Sequence, residues 1–311
     1  MVCTKLHDAM RRLLLVCALL AVLAGCGDDG DAASQDGSLE VVATTGQAAD
    51  FAREVGGDAV HVTGLLPPNA DPHEFELRPD DVKAIAGADV VVQSGGDLDE
   101  WLDDAIESAG SDAPVVTLAD HVALVDDDPH WWQDPSNAVA AVAAIQDALA
   151  AADPARAQAY ADRAVAYTAK LRRLDRAVRA CIDRIPAAQR ALVTTHDALG
   201  YYARRYGLRV VGAVIPSRST RAQPSAGDVD ALVDAIRREH VPAIFAESSV
   251  NADVEEAIAH ETGATVGRAL WADTLGPADS DGATYVESIA SNTEAIVAGL
   301  TAGEVACRPS P

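Results

Sequence analysis

Residues 153–183 read DPARAQAYADRAVAYTAKLRRLDRAVRACID, and this stretch decides the fold that the sequence predicts. Pro154 suits the first turn of a helix, and Leu171, Leu174 and Val178 recur at helical spacing. A helix of about thirty residues is roughly 45 Å long at a rise of about 1.5 Å per residue. Such a helix is longer than a crossover between neighbouring strands requires, which indicates a linker between two halves of the chain.

On both sides of this helix, short apolar segments alternate with segments of helical pattern. The predicted strands cover residues 40–45, 60–66, 89–93 and 114–118 before it, and 191–195, 209–215, 243–246 and 264–267 after it. The predicted helices cover residues 47–55, 80–86, 98–108 and 134–152 before it, and 199–206, 228–239, 253–262 and 284–300 after it. This alternation is typical of parallel sheets flanked by helices. We therefore predict an α/β protein whose two lobes, residues 38–152 and 186–311, are joined by one long rigid linker helix at residues 153–185.

The N-terminus has the pattern of an export signal. Arg11 and Arg12 precede an apolar run at residues 13–23, which is too short for a stable membrane span. The following Leu23-Ala24-Gly25-Cys26 resembles the bacterial lipobox, which implies cleavage before Cys26 and a lipid on its sulfur. Residues 1–25 are then a lipoprotein signal peptide, and residues 26–37 form a flexible tether. We expect an exported protein, anchored by its lipid to the outer face of the bacterial cytoplasmic membrane, or periplasmic.

Composition and charge exclude some classes of partner. The 311 residues are 49% hydrophobic, as in a globular protein with substantial cores, and carry a formal net charge of −24. An acidic surface repels nucleic acids and anionic headgroups, and it attracts cations only weakly. The charge therefore argues against nucleic acid as a partner but names no ligand.

Two cysteines remain in the exported chain once Cys3 and Cys17 leave with the signal and Cys26 carries the lipid. They are Cys181 and Cys307. In an oxidising compartment such a pair predicts a disulfide between the end and the middle of the chain. Two reduced, buried thiols are the alternative.

The tripeptide Asp-Pro-His occurs twice, at residues 71–73 and 128–130. Proline restricts its own backbone and that of the residue before it, so each imidazole is presented from a stiff turn, as suits a metal ligand. In the second half, His196 ends one strand and Asp273 follows another strand-like segment. Loops at the C-terminal ends of parallel strands carry ligands, and both halves should face one crevice. Three imidazoles and a carboxylate form a four-coordinate set suited to Zn²⁺.

With these residues in view, the chain resembles the zinc and manganese solute-binding lipoproteins of bacterial ABC transporters, the cluster A-I metal-binding family. The resemblance extends over nearly the whole chain and rests on Asp71-Pro72-His73-Glu74-Phe75, Ala88-Asp89-Val90-Val91-Val92, Asp128-Pro129-His130-Trp131, Asp134-Pro135, His196-Asp197-Ala198-Leu199-Gly200-Tyr201, Gln223-Pro224-Ser225, Phe245-Ala246-Glu247-Ser248 and Asp273-Thr274-Leu275-Gly276. It implies metal ligation by His73, His130, His196 and Asp273, and two lobes on a rigid helical linker. It also implies an ABC permease and its ATPase as partners of a monomeric receptor.

Zinc is the metal that the sequence favours over manganese. Members of the family that look tuned to manganese tend to carry a carboxylate at the position of His196, and imidazole favours Zn²⁺ whereas Mn²⁺ prefers oxygen. The chain departs from the zinc-type members in one respect. Many of them insert a long His-rich loop before the second histidine, whereas residues 118–128 here hold only His121 among Asp126, Asp127 and Asp128. We interpret this acidic run as a solvated loop, with weak collection of cations, or a second metal, as the alternative.

Three further residues near these motifs invite interpretation. Glu247 either accepts a hydrogen bond that holds a ligating histidine in one tautomer, or is an ordinary carboxylate at a strand end. Trp131 and Trp132 are expected to shield the site as core residues rather than to contact an aromatic ligand.

The sequence thus predicts a transport receptor, which is not an enzyme, that captures Zn²⁺ between its lobes and delivers it to a permease. A manganese receptor and a metal-binding adhesin of the same fold are alternatives. A zinc hydrolase is the alternative from another class, because a histidine-rich zinc site can activate water. Four protein ligands close the coordination sphere, and the chain has no His-Glu-x-x-His segment, so we expect a receptor rather than a hydrolase.

Overall fold

The computed structural model describes residues 37–310. The predicted signal peptide, Cys26 and nearly all of the tether lie outside the described residues. Within the described range, no helix is both long enough and apolar enough to cross a membrane.

The first half of the chain forms a parallel sheet covered on both faces. Its strands are β1 (Leu39–Ala43), β2 (Val60–Gly64), β3 (Val90–Gln93) and β4 (Val115–Thr117), in the order β2-β1-β3-β4. Helices α1 (Gly46–Gly56), α2 (Pro79–Ala86) and α3 (Trp101–Ala109) connect them. Successive side chains of a strand point to opposite faces, and Val41 of β1 packs in the cluster that contains α1, whereas Val42 packs in the cluster that contains α2 and α3.

The linker begins with a tight turn and continues as a long helix. Asp134 caps α4 (Pro135–Ala152), and a single 3-10 turn at Pro154–Arg156 precedes α5 (Ala157–Ile182). The α-helix has 26 residues. It is shorter than predicted because the chain first makes this tighter turn, in which Arg156 donates to Asp153 at 2.6 Å. Its buried side includes the three residues whose spacing indicated a helix, Leu171, Leu174 and Val178.

The second half repeats the parallel pattern with shorter strands. β5 (Ala191–His196) pairs with β6 (Arg209–Ile215), and β7 (Ala243–Ile244) pairs with β8 (Thr265–Val266), while a parallel bridge between Thr194 and Phe245 places β7 beside β5. Helices α6 (Gly200–Tyr206), α7 (Ala226–Glu239) and α8 (Asp253–Thr262) cover these strands. β7 and β8 are shorter than predicted because their pairing stops after Ile244, and the next bridge joins Glu247 to Leu270.

The two halves share one hydrophobic core around the linker. The last helix, α9 (Tyr285–Leu300), packs against α5 and also against α1 of the first half. The ring of Phe51 in α1 lies 4.9 Å from the ring centroid of Tyr285 and 6.3 Å from that of Tyr167 in α5. Beside it, buried Asp50 accepts hydrogen bonds from the Tyr285 backbone amide (3.0 Å) and the Tyr167 hydroxyl (3.3 Å). Packing of three helices therefore fixes how the two sheets face each other.

A disulfide joins the end of the linker to the C-terminal tail. Cys181, in the last turn of α5, is bonded to Cys307 across 126 positions of sequence. Beside it, the Arg184 guanidinium donates to the carbonyl of Ala306 at 2.9 Å. The tail is thereby held against the linker helix.

We expect the double variant Cys181→Ser/Cys307→Ser to lose stability, because the unfolded chain has more conformational freedom when the disulfide no longer closes so long a loop. The free energy of unfolding should fall by about 2–5 kcal/mol. Denaturant titration with and without reductant measures this loss, and reductant should leave the double variant unchanged. Two thiols titrating in the unfolded, unreduced parent protein would contradict the bond.

Candidate metal centre

The two Asp-Pro-His tripeptides share one hydrogen bond, from the backbone amide of the histidine to the side chain of the aspartate. Asp71 caps a 3-10 turn at Pro72–Glu74, and its Oδ1 accepts from the backbone amide of His73 at 2.9 Å. In the second copy, Oδ1 of Asp128 accepts from the backbone amide of His130 at 3.0 Å. The aspartate side chain and the fixed φ of proline together hold each histidine backbone in place.

The second half supplies two further side chains from the C-terminal ends of its strands. His196 is the last residue of β5, and Asp273 comes shortly after the bridge that joins Glu247 to Leu270. The indole of Trp132 and the amide of Gln133 both donate to the carbonyl of Ala272, at 3.0 and 2.6 Å. These bonds fasten the segment that carries Asp273 to the segment that carries His130.

The four side chains that the sequence singles out lie together between the two sheets. One ligand atom from each of His73, His130, His196 and Asp273 lies within 4.8 Å of the other three. The Nε2 atoms of His130 and His196 are 3.2 Å apart, and Oδ2 of Asp273 is 3.1 Å from Nε2 of His196 and 3.2 Å from that of His73. Bonds of about 2.0–2.1 Å to a central Zn²⁺ place tetrahedral ligand atoms roughly 3.3 Å apart. The three separations of 3.1–3.2 Å are close to this value.

Carboxylates behind two of the imidazoles set their orientation. The Nδ1–H of His130 donates to Asp128 at 2.7 Å, and the Nδ1–H of His196 donates to Glu247 at 2.6 Å. Each carboxylate oxygen also accepts from the backbone amide of its own histidine, at 3.0 and 3.1 Å. A ring held in this way directs Nε2 to the centre, which is the arrangement that metal-bound histidines usually need.

Burial and charge at this centre favour a bound cation. The side chains of His130, His196 and Asp273 are 0–1% exposed, and neither carboxylate oxygen of Asp273 has hydrogen-bond geometry to a partner among the described residues. Burial opposes ionisation of Asp273, but the neighbouring histidines hold its pKa well below the usual value. Burial likewise opposes protonation of His196, but the carboxylates of Asp273 and Glu247 raise its pKa to about 11. Two ring nitrogens that face each other at 3.2 Å need a proton or a cation between them, and the two compete.

Glu247 is buried and bonded to Nδ1 of His196, which is the contact that the first of its two interpretations requires. Asp128 differs from the prediction, which placed it in a solvated acidic loop. It is only 6% exposed and bonded to His130, whereas Asp126 and Asp127 are exposed. The repeated tripeptide did not reveal this contact, because Asp71 of the other copy accepts from the backbone amide of His73 and from the Thr220 hydroxyl rather than from the His73 ring. The expectation for Trp131 and Trp132 is confirmed, since both are buried.

The chain is similar to known metal-binding proteins over most of its length. Residues 41–299 match the family described as zinc-uptake complex component A, periplasmic. The manganese-binding lipoprotein MntA of Bacillus subtilis is 34% identical over 307 residues, covering 94% of this chain and 100% of that protein. The zinc-binding protein TroA of Treponema pallidum is 31% identical over 281 residues, covering 86% of this chain and 91% of that protein.

Solved structures show the same fold. The periplasmic zinc-binding protein TroA of Treponema pallidum superimposes with a TM-score of 0.79 at 30% identity, over 85% of this chain and 99% of that chain. The manganese-bound periplasmic metal-binding protein of candidatus Liberibacter asiaticus has a TM-score of 0.76 at 25% identity, over 84% of this chain and 98% of that chain. The architecture of two α/β halves with parallel strands agrees with that expected from the sequence.

We expect Glu247→Gln to weaken divalent metal binding about 10- to 100-fold, because the variant loses the negative charge that orients the His196 ring and increases its basicity. Glu255→Gln is a matched control, since Glu255 is also buried but accepts from the Thr195 hydroxyl (2.5 Å) rather than from a ring nitrogen. Competition with a chelating dye measures both affinities. An affinity of Glu247→Gln equal to that of the parent would contradict this role.

Proposed function

This chain belongs to the family of zinc-uptake complex component A proteins, the metal-binding solute-binding proteins of ABC transporters, and we propose that its cargo is Zn²⁺ held by His73, His130, His196 and Asp273. Members of the family are receptors and not enzymes, and they work with an ABC permease and its ATPase. The observation that carries the proposal is the convergence of three imidazole nitrogens and one buried carboxylate on a single centre.

The composition of the centre supports zinc as the cargo. Three nitrogen donors and one carboxylate suit Zn²⁺, whereas Mn²⁺ prefers oxygen-rich and higher-coordinate surroundings. The relatives include proteins named for manganese as well as for zinc, so Mn²⁺ is the second candidate. His196 is the residue on which the choice depends, because a carboxylate at this position would make the set half oxygen.

Four donors from the protein also fit transport better than catalysis. A catalytic zinc keeps one coordination position for water or substrate, whereas four protein ligands fill a tetrahedral sphere. All four donor groups here are buried or nearly so. Such a site binds an ion and shields it from solvent, as a receptor for the ion requires.

We further propose how the receptor is organised. Residues 38–152 and 186–311 are its two lobes and residues 153–185 its linker, and the metal lies between the lobes. Cys26 carries a lipid that holds a monomeric receptor at the outer face of the cytoplasmic membrane, through the tether at residues 26–37. The lipobox-like sequence before Cys26 and the description of several relatives as lipoproteins support this anchor.

Titration calorimetry with Zn²⁺ and Mn²⁺ tests the cargo. The parent protein should bind one Zn²⁺ and prefer it to Mn²⁺. His196→Glu exchanges a neutral nitrogen donor for a charged oxygen donor, so the preference should shrink without necessarily reversing, because most mixed sites still favour zinc. His196→Ala removes a ligand and should weaken the binding of both ions.

Three outcomes would contradict the proposal. They are a parent protein that binds neither ion, a His196→Ala variant that binds zinc as the parent does, and a His196→Glu variant with an unchanged ratio of affinities. The first removes the receptor function, whereas the other two remove only the ligand role of His196.

Cys26→Ala should release the protein from membranes without changing its metal affinity, because the tether separates the anchor from the folded domain. Membrane fractionation followed by metal titration of the soluble variant measures both properties. Retention of Cys26→Ala in the membrane fraction would exclude the lipid anchor.

A further inference from the structure

The four side chains at the centre are not held equally. The rings of His130 and His196 each donate to a buried carboxylate, and the segment of Asp273 is fastened through the Ala272 carbonyl. Nδ1 of His73 has no hydrogen-bond partner among the residues that the structure describes. The side chain of His73 is also 7% exposed, compared with 0–1% for the other three. His73 is therefore the least constrained of the four.

His73 also lies at the mouth of the crevice. It lines a cavity of about 440 Å³ whose walls come from both halves, including Phe75 and Trp101 of the first and Ser217 and Arg218 of the second. An ion that enters or leaves through this cavity meets His73 first. The greater exposure of His73 and its place in the cavity wall both indicate that the centre opens to solvent on the side of His73.

The segment that carries His73 reaches the second half through a hydrogen bond near the centre. The hydroxyl of Thr220 donates to Oδ2 of Asp71 at 2.6 Å, and Thr220 is only 8% exposed. The other oxygen of Asp71 accepts from the His73 amide at 2.9 Å. One carboxylate thus connects a hydroxyl of the second half to the backbone of a histidine in the first.

Thr220 belongs to the connection between β6 and α7, at residues 216–225, which crosses the mouth of the crevice. In the same connection, the Arg218 guanidinium donates to the carbonyl of Asp126, on the loop that leads to His130. Ser217 stiffens this connection by accepting from the backbone amide of Ser219 at 3.1 Å. The connection therefore holds both histidine-bearing loops of the first half against the second.

We propose that Thr220 is a positioning residue for His73, acting across the crevice through Asp71, and that it sets how long the bound metal stays. The inference rests on the proposed function, since it concerns the same centre. When the bond between Thr220 and Asp71 breaks, the turn at Pro72–Glu74 loses its nearest hydrogen bond to the second half, and His73 is the first ligand lost. The amide of Asn69, earlier in the same segment, still donates to the Leu275 carbonyl at 2.9 Å. The three remaining ligands form an open site from which the ion can leave.

Thr220→Val tests this role, because valine has the shape of threonine without the hydroxyl. The zinc-loaded variant should release its ion about tenfold faster than the parent when mixed with excess chelator in a stopped-flow instrument, since a hydrogen bond to a charged group is lost. The association rate should change little, and so should the melting temperature of the metal-free protein. Thr220→Ser keeps the hydroxyl and should release zinc at the rate of the parent.

Thr301→Val is the matched control. Thr301 is also buried and its hydroxyl donates to the Val297 carbonyl at 2.7 Å, but it lies at the end of α9 rather than in the crevice. This variant should lose stability without faster release of zinc. Thr220→Ala provides a second test of the crevice position, in case valine disturbs the loop.

The outcomes separate the inference from the proposed function. Unchanged release from both Thr220→Val and Thr220→Ala, or equally fast release from Thr301→Val, would overturn the role of Thr220 while the receptor function stands. A parent protein that binds no zinc would overturn the receptor function itself.

Discussion

The carboxylate of Asp273, buried against imidazole nitrogens from three other segments, is the interaction on which the candidate metal centre depends. Burying a carboxylate away from water costs free energy unless a positive charge lies close to it. That charge comes either from protons on the imidazoles or from a divalent ion, and Asp128 and Glu247 add two more buried carboxylates behind the rings. The centre is therefore a place where protons and a metal exchange. Its position between two sheets means that this exchange also bears on how the halves meet.

Four segments of the chain meet at the centre, and they rest on two kinds of structure, tightly packed helices and less constrained turns. The two halves are joined behind the centre, where α1, α5 and α9 pack around Phe51 and Asp50. Of the four side chains at the centre, His73 stands on a partly exposed turn, whereas His130 is followed by the buried core residues Trp131 and Trp132. In the receptor proposed above, this division allows the turn of His73 to move on release of the ion while the helices behind the centre stay in place.

Most of the fold follows from patterns that are local in the sequence. The helical spacing of Leu171, Leu174 and Val178 and the alternation of strands and helices predict nearly all of the elements. The repeated Asp-Pro-His tripeptides predict two of the side chains that converge at the centre. Two features did not follow, because they depend on contacts between distant residues. The burial of Asp128 required knowing that His130 turns back onto it, and the packing of α9 against α1 joins positions more than two hundred residues apart, such as Asp50 and Tyr285. Charge patterns along a loop cannot reveal which carboxylate faces inward.

The packing of the last helix against the first has a consequence for the order in which the protein can mature. A chain is made and emerges from its N-terminus, so the residues of the first sheet are available long before residues 285–300. Until they arrive, Phe51 lacks the Tyr285 ring and the buried Asp50 lacks the amide that it binds. The first half therefore waits in an incomplete state, and nascent chains truncated before α9 should remain targets for chaperones or proteases rather than half-working proteins.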